Sequence, residues 1–165
     1  MKTQALLEPS SPSLINLTRI LVPVDFSPLS KKALHYATRM ACEFGAEVNI
    51  LHVVEPKVPP AFDGFMIAPP VVSNRTDASC TGQLEGLVNL VRKAGVEQVD
   101  STVRTGLAAF EIVEAAKELD VDLIVIATHG YTGWKHFTIG STAERVVRAA
   151  PCPVLVVREK EHEFA

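Results

Sequence analysis

The chain has few cysteines and aromatic residues, and it has no long apolar run. Its most apolar stretches, Leu123 to Ala127 and Val154 to Val157, are only long enough for strands. A membrane-spanning helix needs about 20 such residues. The first residues, 1–17, also lack the apolar centre of a signal peptide. We therefore expect a soluble, cytoplasmic protein with no membrane contact.

The cysteines are too few and too widely spaced to organise a fold. Cys42, Cys80 and Cys152 are an odd number, and no CxxC pair occurs among them. This pattern fits neither a disulfide framework nor a zinc site. We expect free thiols in a reducing compartment and no bound metal at these positions.

A large charge of one sign is also missing. The net charge is −3, from 16 basic and 19 acidic residues that are mixed along the sequence. A nucleic-acid-binding protein normally carries a clustered basic excess, because neutralising phosphates supplies most of its affinity. We therefore expect no nucleic-acid partner.

The chain does have a regular alternation of short apolar runs and amphipathic segments. This order, β-α-β-α-β-α-β-α-β, predicts a five-stranded, parallel, doubly wound (Rossmann-like) sheet with helices on both faces. Ser27 is a candidate N-cap, Pro28 fits the first helical position, and Gly45 can end that helix. The predicted strands are 19–24, 46–54, 97–104, 122–126 and 153–158, and the predicted helices are 28–44, 83–94, 110–119 and 141–150.

One domain accounts for most of the chain. We expect residues 18–158 to form it, preceded by a mobile extension at 1–17 and followed by a tail at 159–165. Residues 55–79 hold five prolines and no clear period. A connector of this length is either a lid or binding loop, which Phe62, Phe65 and Met66 could help to form, or a flexible variable insertion.

The carboxyl ends of the first and fourth strands are the expected binding crevice of such a sheet. Asp25 follows the first strand, and Gly140-Ser141-Thr142 stands where the last helix begins. The free N–H groups and the positive dipole end of a helix amino terminus suit phosphate. Two structural alternatives remain open: Ser141 and Glu144 as a capping box, and Asp25 as a cap of the first helix.

The standard nucleotide fingerprints are absent. Neither GxxxxGK[ST] nor GxGxxG occurs in the sequence. The first absence excludes a P-loop, and the second argues against a standard dinucleotide site.

Several motifs nevertheless resemble one known family. Ala127-Thr-His-Gly130, then nine residues, then Gly140-Ser141 is similar to the nucleotide motif of universal stress proteins, as are ILVPVDFS at 20–27 and ILHVV at 50–54. The resemblance implies a stress-response regulator that binds ATP (or AMP or ADP), with Mg²⁺ as an optional companion, and has little or no catalytic turnover.

The resemblance also implies roles for particular residues. Asp25 would contact ribose or adenine, and Pro23 and Val53 would lie along the base. The segments 128–130 and 140–142 would hold the phosphates. Ala127 replaces the first glycine of the family motif, which matters only if that position needs a positive φ or a close approach to the ligand. The matched set is Pro23, Asp25, Val53, Ala127, Thr128, His129, Gly130, Gly133, Gly140, Ser141 and Thr142.

Two other functions fit the same motifs. The first is a dimeric interaction module of the same family that binds no nucleotide, and the second is a slow ATPase. The sequence offers no nucleophile–base pair, so no catalytic residue is assigned. We expect a homodimer through Val154 to Val157 whether the protein is a nucleotide-binding regulator or an interaction module, because an apolar strand at a sheet edge favours pairing with a second copy.

Overall fold

The computed structural model describes residues 16–56, 78–128 and 140–159. The predicted alternation of strands and helices is confirmed. In chain order the elements are β1 (Arg19–Pro23), α1 (Pro28–Phe44), β2 (Glu47–Val54), α2 (Ala78–Lys93), β3 (Val99–Thr105), α3 (Ala108–Glu118), β4 (Leu123–Ala127), α4 (Ser141–Ala149) and β5 (Val154–Val157).

These strands form one parallel sheet with the order β3-β2-β1-β4-β5. The chain runs outward from β1 through β2 to β3, and then returns to place β4 on the other side of β1. The doubly wound architecture predicted from the sequence is therefore confirmed, with β1 and β4 at the point where the direction reverses.

Successive side chains of a strand point to opposite faces of the sheet. Alternate residues of each strand therefore belong to two apolar layers, one on each face. Ile20 and Val22 of β1 pack with α1 and α2, whereas Leu21 packs with α3 and α4 on the opposite face. Ile124 and Val125 of β4 divide between the layers in the same way, and neither is exposed. Full burial of a side chain of this size contributes about 1.5–3 kcal/mol.

Helix α1 begins and ends as the sequence predicts. Ser27 is its N-cap and accepts a hydrogen bond from the Ser30 N–H, and Pro28 occupies the first turn. Gly45 ends the helix in the left-handed conformation with φ 70°. Serine, proline and glycine suit these three positions for separate physical reasons, which made both boundaries readable.

Other boundaries differ from the prediction. Helix α2 begins at Ala78 rather than at 83, and its residues 81–83 are exposed, so no apolar period marks its first turn. Helix α3 begins two residues earlier than predicted, at Ala108, and β3 begins two residues later, at Val99. Each shifted boundary lies where few apolar side chains are buried, so the periodic pattern used for the prediction is weak there.

Three predicted segments fall wholly or largely outside the described residues: the extension at 1–17, the connector at 55–79 and the tail at 159–165. Their predicted character stays a prediction. Among the described residues, no helix is both long and apolar enough to cross a membrane.

Candidate functional site

A cleft of about 230 Å³ opens at the carboxyl ends of β1 and β4, where the winding reverses. The amino ends of α3 and α4 both border it, through Ala108 and Ser141. The described part of the chain therefore places two helix dipoles at one cavity. The lining comprises Pro23, Val24, Asp25, Ser30, Leu51, Val53, Ala108, Ile112, Ile126, Ala127, Thr128, Gly140, Ser141, Thr142 and Ala143.

The floor of the cleft is apolar. Leu51 and Ile126 come from the sheet and Ile112 from α3, and all three are buried in the layer beneath α3 and α4. Val53 packs against the same layer. Such a surface suits the flat face of an aromatic base, whose binding there is driven by apolar burial.

The start of α4 offers backbone donors to this cleft. The N–H of Gly140 donates to the carbonyl of Thr128 at 2.7 Å, and the N–H of Glu144 donates to the carbonyl of Gly140 at 2.9 Å. The latter is the first bond within the helix, so the amides of Ser141, Thr142 and Ala143 have no acceptor inside α4. These amides lie at the positive end of the helix dipole, where an anion is stabilised.

The predicted capping box at this helix is wrong. The N-cap is Gly140, with φ −59° and ψ 150°, and no side chain within the described residues caps the helix. Ser141 is therefore the first helical residue, one position too late for a cap. Glu144 instead pairs with Arg148 one turn on, at 2.8 Å.

Thr128 ties β4 to both neighbouring elements. Its N–H donates to the carbonyl of Val157 at 2.9 Å, and its carbonyl accepts from Gly140. Its side chain is buried. Thr128 thus fixes the position of the α4 amino end relative to the sheet.

Asp25 belongs to a short turn between β1 and α1, residues 24–27, which we call the Asp25 turn. The carboxylate of Asp25 accepts a hydrogen bond from the Ser27 N–H at 3.1 Å, and the Asp25 N–H points to Ser30 Oγ at 3.4 Å. The alternative in which Asp25 caps α1 is wrong, because Ser27 holds that position. Asp25 instead shapes the turn that precedes the cap and lines the cleft.

Ala127 has an ordinary strand conformation. It is the last residue of β4, and it is not among the described residues with positive φ. Its side chain packs against the layer beneath α1 and α2, on the opposite face from the apolar floor. The position therefore places no demand on backbone geometry that only glycine could meet.

Sequence reasoning missed Glu55, at the other helix of the cleft. Its carboxylate accepts a hydrogen bond from the Ala108 N–H at 3.0 Å, and no side chain of the N-cap residue, Leu107, competes for the end of α3. Glu55 caps α3 from a position 53 residues away in sequence, so no local motif predicts this contact. The order of strands β2 and β3 is the signal that could have placed it.

The structure brings most of the predicted site residues together. Pro23, Asp25, Val53, Ala127, Thr128, Gly140, Ser141 and Thr142 all line the cleft. His129, Gly130 and Gly133 lie outside the described residues. The lining residues that sequence reasoning did not name are mainly apolar, such as Leu51 and Ile112, and resembled ordinary core positions.

No cluster of three potential metal ligands occurs among the side chains that the structure describes. The cleft offers backbone amides, hydroxyl groups, one carboxylate and an apolar floor. This combination is chemically suited to a ligand with a flat apolar part and an anionic part.

Comparisons with known proteins agree with this architecture. The model of the universal stress protein family matches residues 16–158. Universal stress protein MJ0531 of Methanocaldococcus jannaschii is 35% identical over 147 residues, covering 88% of this chain and 84% of the relative. Universal stress protein YxiE of Bacillus subtilis is 35% identical over 146 residues, covering 85% and 98%.

Solved structures share the fold. Universal stress protein UspA from Lactobacillus plantarum superimposes with a TM-score of 0.75 at 28% identity, covering 87% of this chain and 99% of its own. A universal stress protein in complex with cAMP (TM-score 0.65, 21% identity, coverage 87% and 98%) has the same fold. So does one from Archaeoglobus fulgidus in complex with dAMP (0.64, 22%, coverage 87% and 99%).

The fold is that of a doubly wound α/β protein with a cleft at its switch point. The chain belongs to the universal stress protein family.

Proposed function

We propose that this protein is a regulatory nucleotide-binding protein that holds ATP, or AMP or ADP, in the cleft with little or no turnover. The observation that carries the proposal is the start of α4. Its first amides, in Ser141, Thr142 and Ala143, have no acceptor within the helix and border an apolar cavity. An anionic group attached to an aromatic base matches both halves of that arrangement.

The orientation of the nucleotide follows from the charges around the cleft. At α3 the dipole end already has the carboxylate of Glu55, whereas the N-cap of α4 is Gly140, which has no side chain. Phosphates would therefore lie at α4, and the base would lie over Leu51 and Val53. Asp25 would accept hydrogen bonds from ribose hydroxyls or from the base.

Fold relatives support the class of ligand. Universal stress proteins of the same fold occur in complex with cAMP and with dAMP. Both ligands combine adenine with one phosphate, so we extend this ligand class to the present chain. The apolar floor and the first amides of α4, which have no acceptor within the helix, give the extension its basis here.

A charge change at the first residue of α4 tests this function. Ser141 is exposed, and Ser141→Asp adds a negative charge where the phosphates would lie. We expect ATP affinity to fall about tenfold or more through charge repulsion, while stability stays equal or rises because an acid suits a helix amino end. Calorimetric titration and a thermal scan measure the two effects separately.

Ser141→Asn is the matched control, because it has the same size as aspartate and no charge. It should retain ATP affinity within about threefold of the wild type. Equal binding by the aspartate and asparagine variants would contradict a phosphate site at α4. Absence of ATP binding by the wild type at millimolar concentration would remove the function as a whole.

A second property, self-association, is favoured by the position of β5. This strand is at one edge of the sheet formed by the described residues, beside β4. Val154, Leu155 and Val156 are only partly buried. We propose that β5 pairs with β5 of a second copy to form a homodimer.

A further inference from the structure

Phe26 has an unusual backbone conformation at the border of the cleft. Its φ is 65°, in the left-handed region that residues other than glycine rarely adopt. It lies in the Asp25 turn, directly after Asp25. A conformation of this kind persists only where surrounding contacts determine it, and such positions concentrate at functional sites.

His52 of β2 supplies those contacts. Its ring lies 4.5 Å from the ring of Phe26, centroid to centroid, with an angle of 37° between the planes. Its Nδ1 lies 2.8 Å from the carbonyl oxygen of Val24. Because a carbonyl oxygen can only accept, Nδ1 carries the proton and donates.

The turn is held at both ends. On one side, the N–H of Val24 donates to the carbonyl of Leu51 at 2.8 Å, so both backbone groups of Val24 are bound to β2. On the other side, Ser27 is the buried N-cap of α1. Only Asp25 and Phe26 lie between these fixed points, so the conformation of Phe26 contributes, together with the hydrogen bonds of Asp25 to Ser27 and Ser30, to the direction of Asp25.

We propose that His52 is a positioning residue of the cleft. Its hydrogen bond to Val24 holds the turn in the conformation that directs the Asp25 carboxylate into the site, and its ring packs at a tilt against Phe26. His52 itself is not among the lining residues, so it acts through Asp25 rather than on the ligand. This inference rests on the proposed nucleotide binding and assigns a role to a residue that is not among the predicted site residues.

Two substitutions separate the parts of this contact. His52→Phe keeps an aromatic ring against Phe26 and removes the donor to Val24. His52→Asn places an amide N–H near the position of Nδ1 and removes the ring. We expect His52→Phe to weaken ATP binding about tenfold and His52→Asn to stay within about threefold of the wild type, measured by calorimetric titration.

A double-mutant cycle shows whether His52 works through Asp25. If it does, adding His52→Phe to Asp25→Asn causes no further loss of ATP affinity. Additive losses, or wild-type affinity in His52→Phe, would overturn the proposal. A purely structural role would lower the melting temperature of His52→Phe without producing this non-additivity.

A measurement on the protein without nucleotide tests the role of His52 independently of ATP binding. The Ser27 amide donates to the Asp25 carboxylate, so its ¹⁵N–¹H resonance reports the geometry of the turn. It should move in His52→Phe and stay near its wild-type position in His52→Asn. An unmoved resonance in His52→Phe would overturn the positioning role, whereas a wild type that fails to bind ATP but follows this pattern would overturn only the proposed function.

Discussion

At the scale of single residues, Ala127 is the departure from the family motif that most affects the functional argument. Its strand conformation and its packing toward α1 and α2 show that glycine is not needed there for backbone geometry. The methyl group also lies against the layer on the other face from the floor of the cleft. Ala127 is therefore compatible with a ligand over Leu51 and Val53.

The variant Ala127→Gly, which restores the family residue, tests this directly. We expect ATP affinity to change by less than about threefold, and stability to fall by about 0.5–1 kcal/mol because glycine is less favourable within a strand. Calorimetric titration and chemical denaturation measure these quantities. A large gain in affinity would mean that the methyl group obstructs the ligand.

Single residues also show which features could be predicted from the sequence. Ser27, Pro28 and Gly45 act on their own neighbours, and the structure confirms all three roles. Glu55 acts on an amide 53 residues away, and local sequence holds no trace of that contact. The local signals at α1 were therefore predictable, whereas the contact of Glu55 with α3 was not, because the winding of the sheet creates it.

At the scale of elements, Asp122 joins the starts of β1 and β4. One carboxylate oxygen accepts from the Thr18 hydroxyl and from the Thr18 N–H, both at 2.7 Å, and from the Arg19 N–H at 2.9 Å. These hydrogen bonds, with the Thr18 hydroxyl contributing most, lower the pKa of Asp122 below its ordinary value. The two central strands are thus connected at the end opposite the cleft.

The lowered pKa gives a prediction with a defined pH dependence. Asp122→Asn should lose about 1 kcal/mol of unfolding free energy at neutral pH, because hydrogen bonds to a charged acceptor are stronger than those to an amide. A depressed folded-state pKa contributes stability above the ordinary aspartate value, ~3.9, and this contribution is lost as pH falls toward the folded value.

Urea denaturation of the wild type and Asp122→Asn across acidic and neutral pH provides the measurement. The gap in unfolding free energy should be widest at neutral pH and should narrow below about pH 4. A gap that stays constant with pH would show that the charge of Asp122 does not stabilise the fold.

Element boundaries show the limit of periodicity as a signal. The apolar pattern of α2 begins with buried Leu84, although the helix itself begins at Ala78. At α4, a serine followed three residues later by glutamate is compatible with a cap at Ser141, but the N-cap is Gly140, whose N–H is bound to the carbonyl of Thr128. Local sequence does not contain that tertiary hydrogen bond.

At the scale of the whole molecule, the strand order places β5 at one edge of the sheet that the described residues form. The N–H of Ile124 donates to the Pro153 carbonyl, and that of Thr128 donates to the Val157 carbonyl. Backbone groups alternate in direction along a strand. Those of Val154 and Val156 therefore face away from β4, where a second copy could pair.

Val156→Pro removes one outward N–H and spares the bonds to β4, since proline is tolerated where an edge N–H faces solvent. We expect the wild type to sediment as a dimer and the variant to sediment as a monomer with an unchanged far-ultraviolet circular dichroism spectrum. A monomeric wild type, or a variant that remains folded and dimeric, would contradict pairing through β5.

The proposed nucleotide binding depends on anion binding by the first turn of α4, next to an apolar cleft. Titrating the ¹⁵N-labelled protein with ATP while recording amide resonances tests this most directly. We expect saturable shifts of the amide resonances of Ser141, Thr142 and Ala143, accompanied by shifts in the Asp25 turn. Unchanged resonances at α4 with millimolar ATP, or shifts confined to a distant surface, would contradict it.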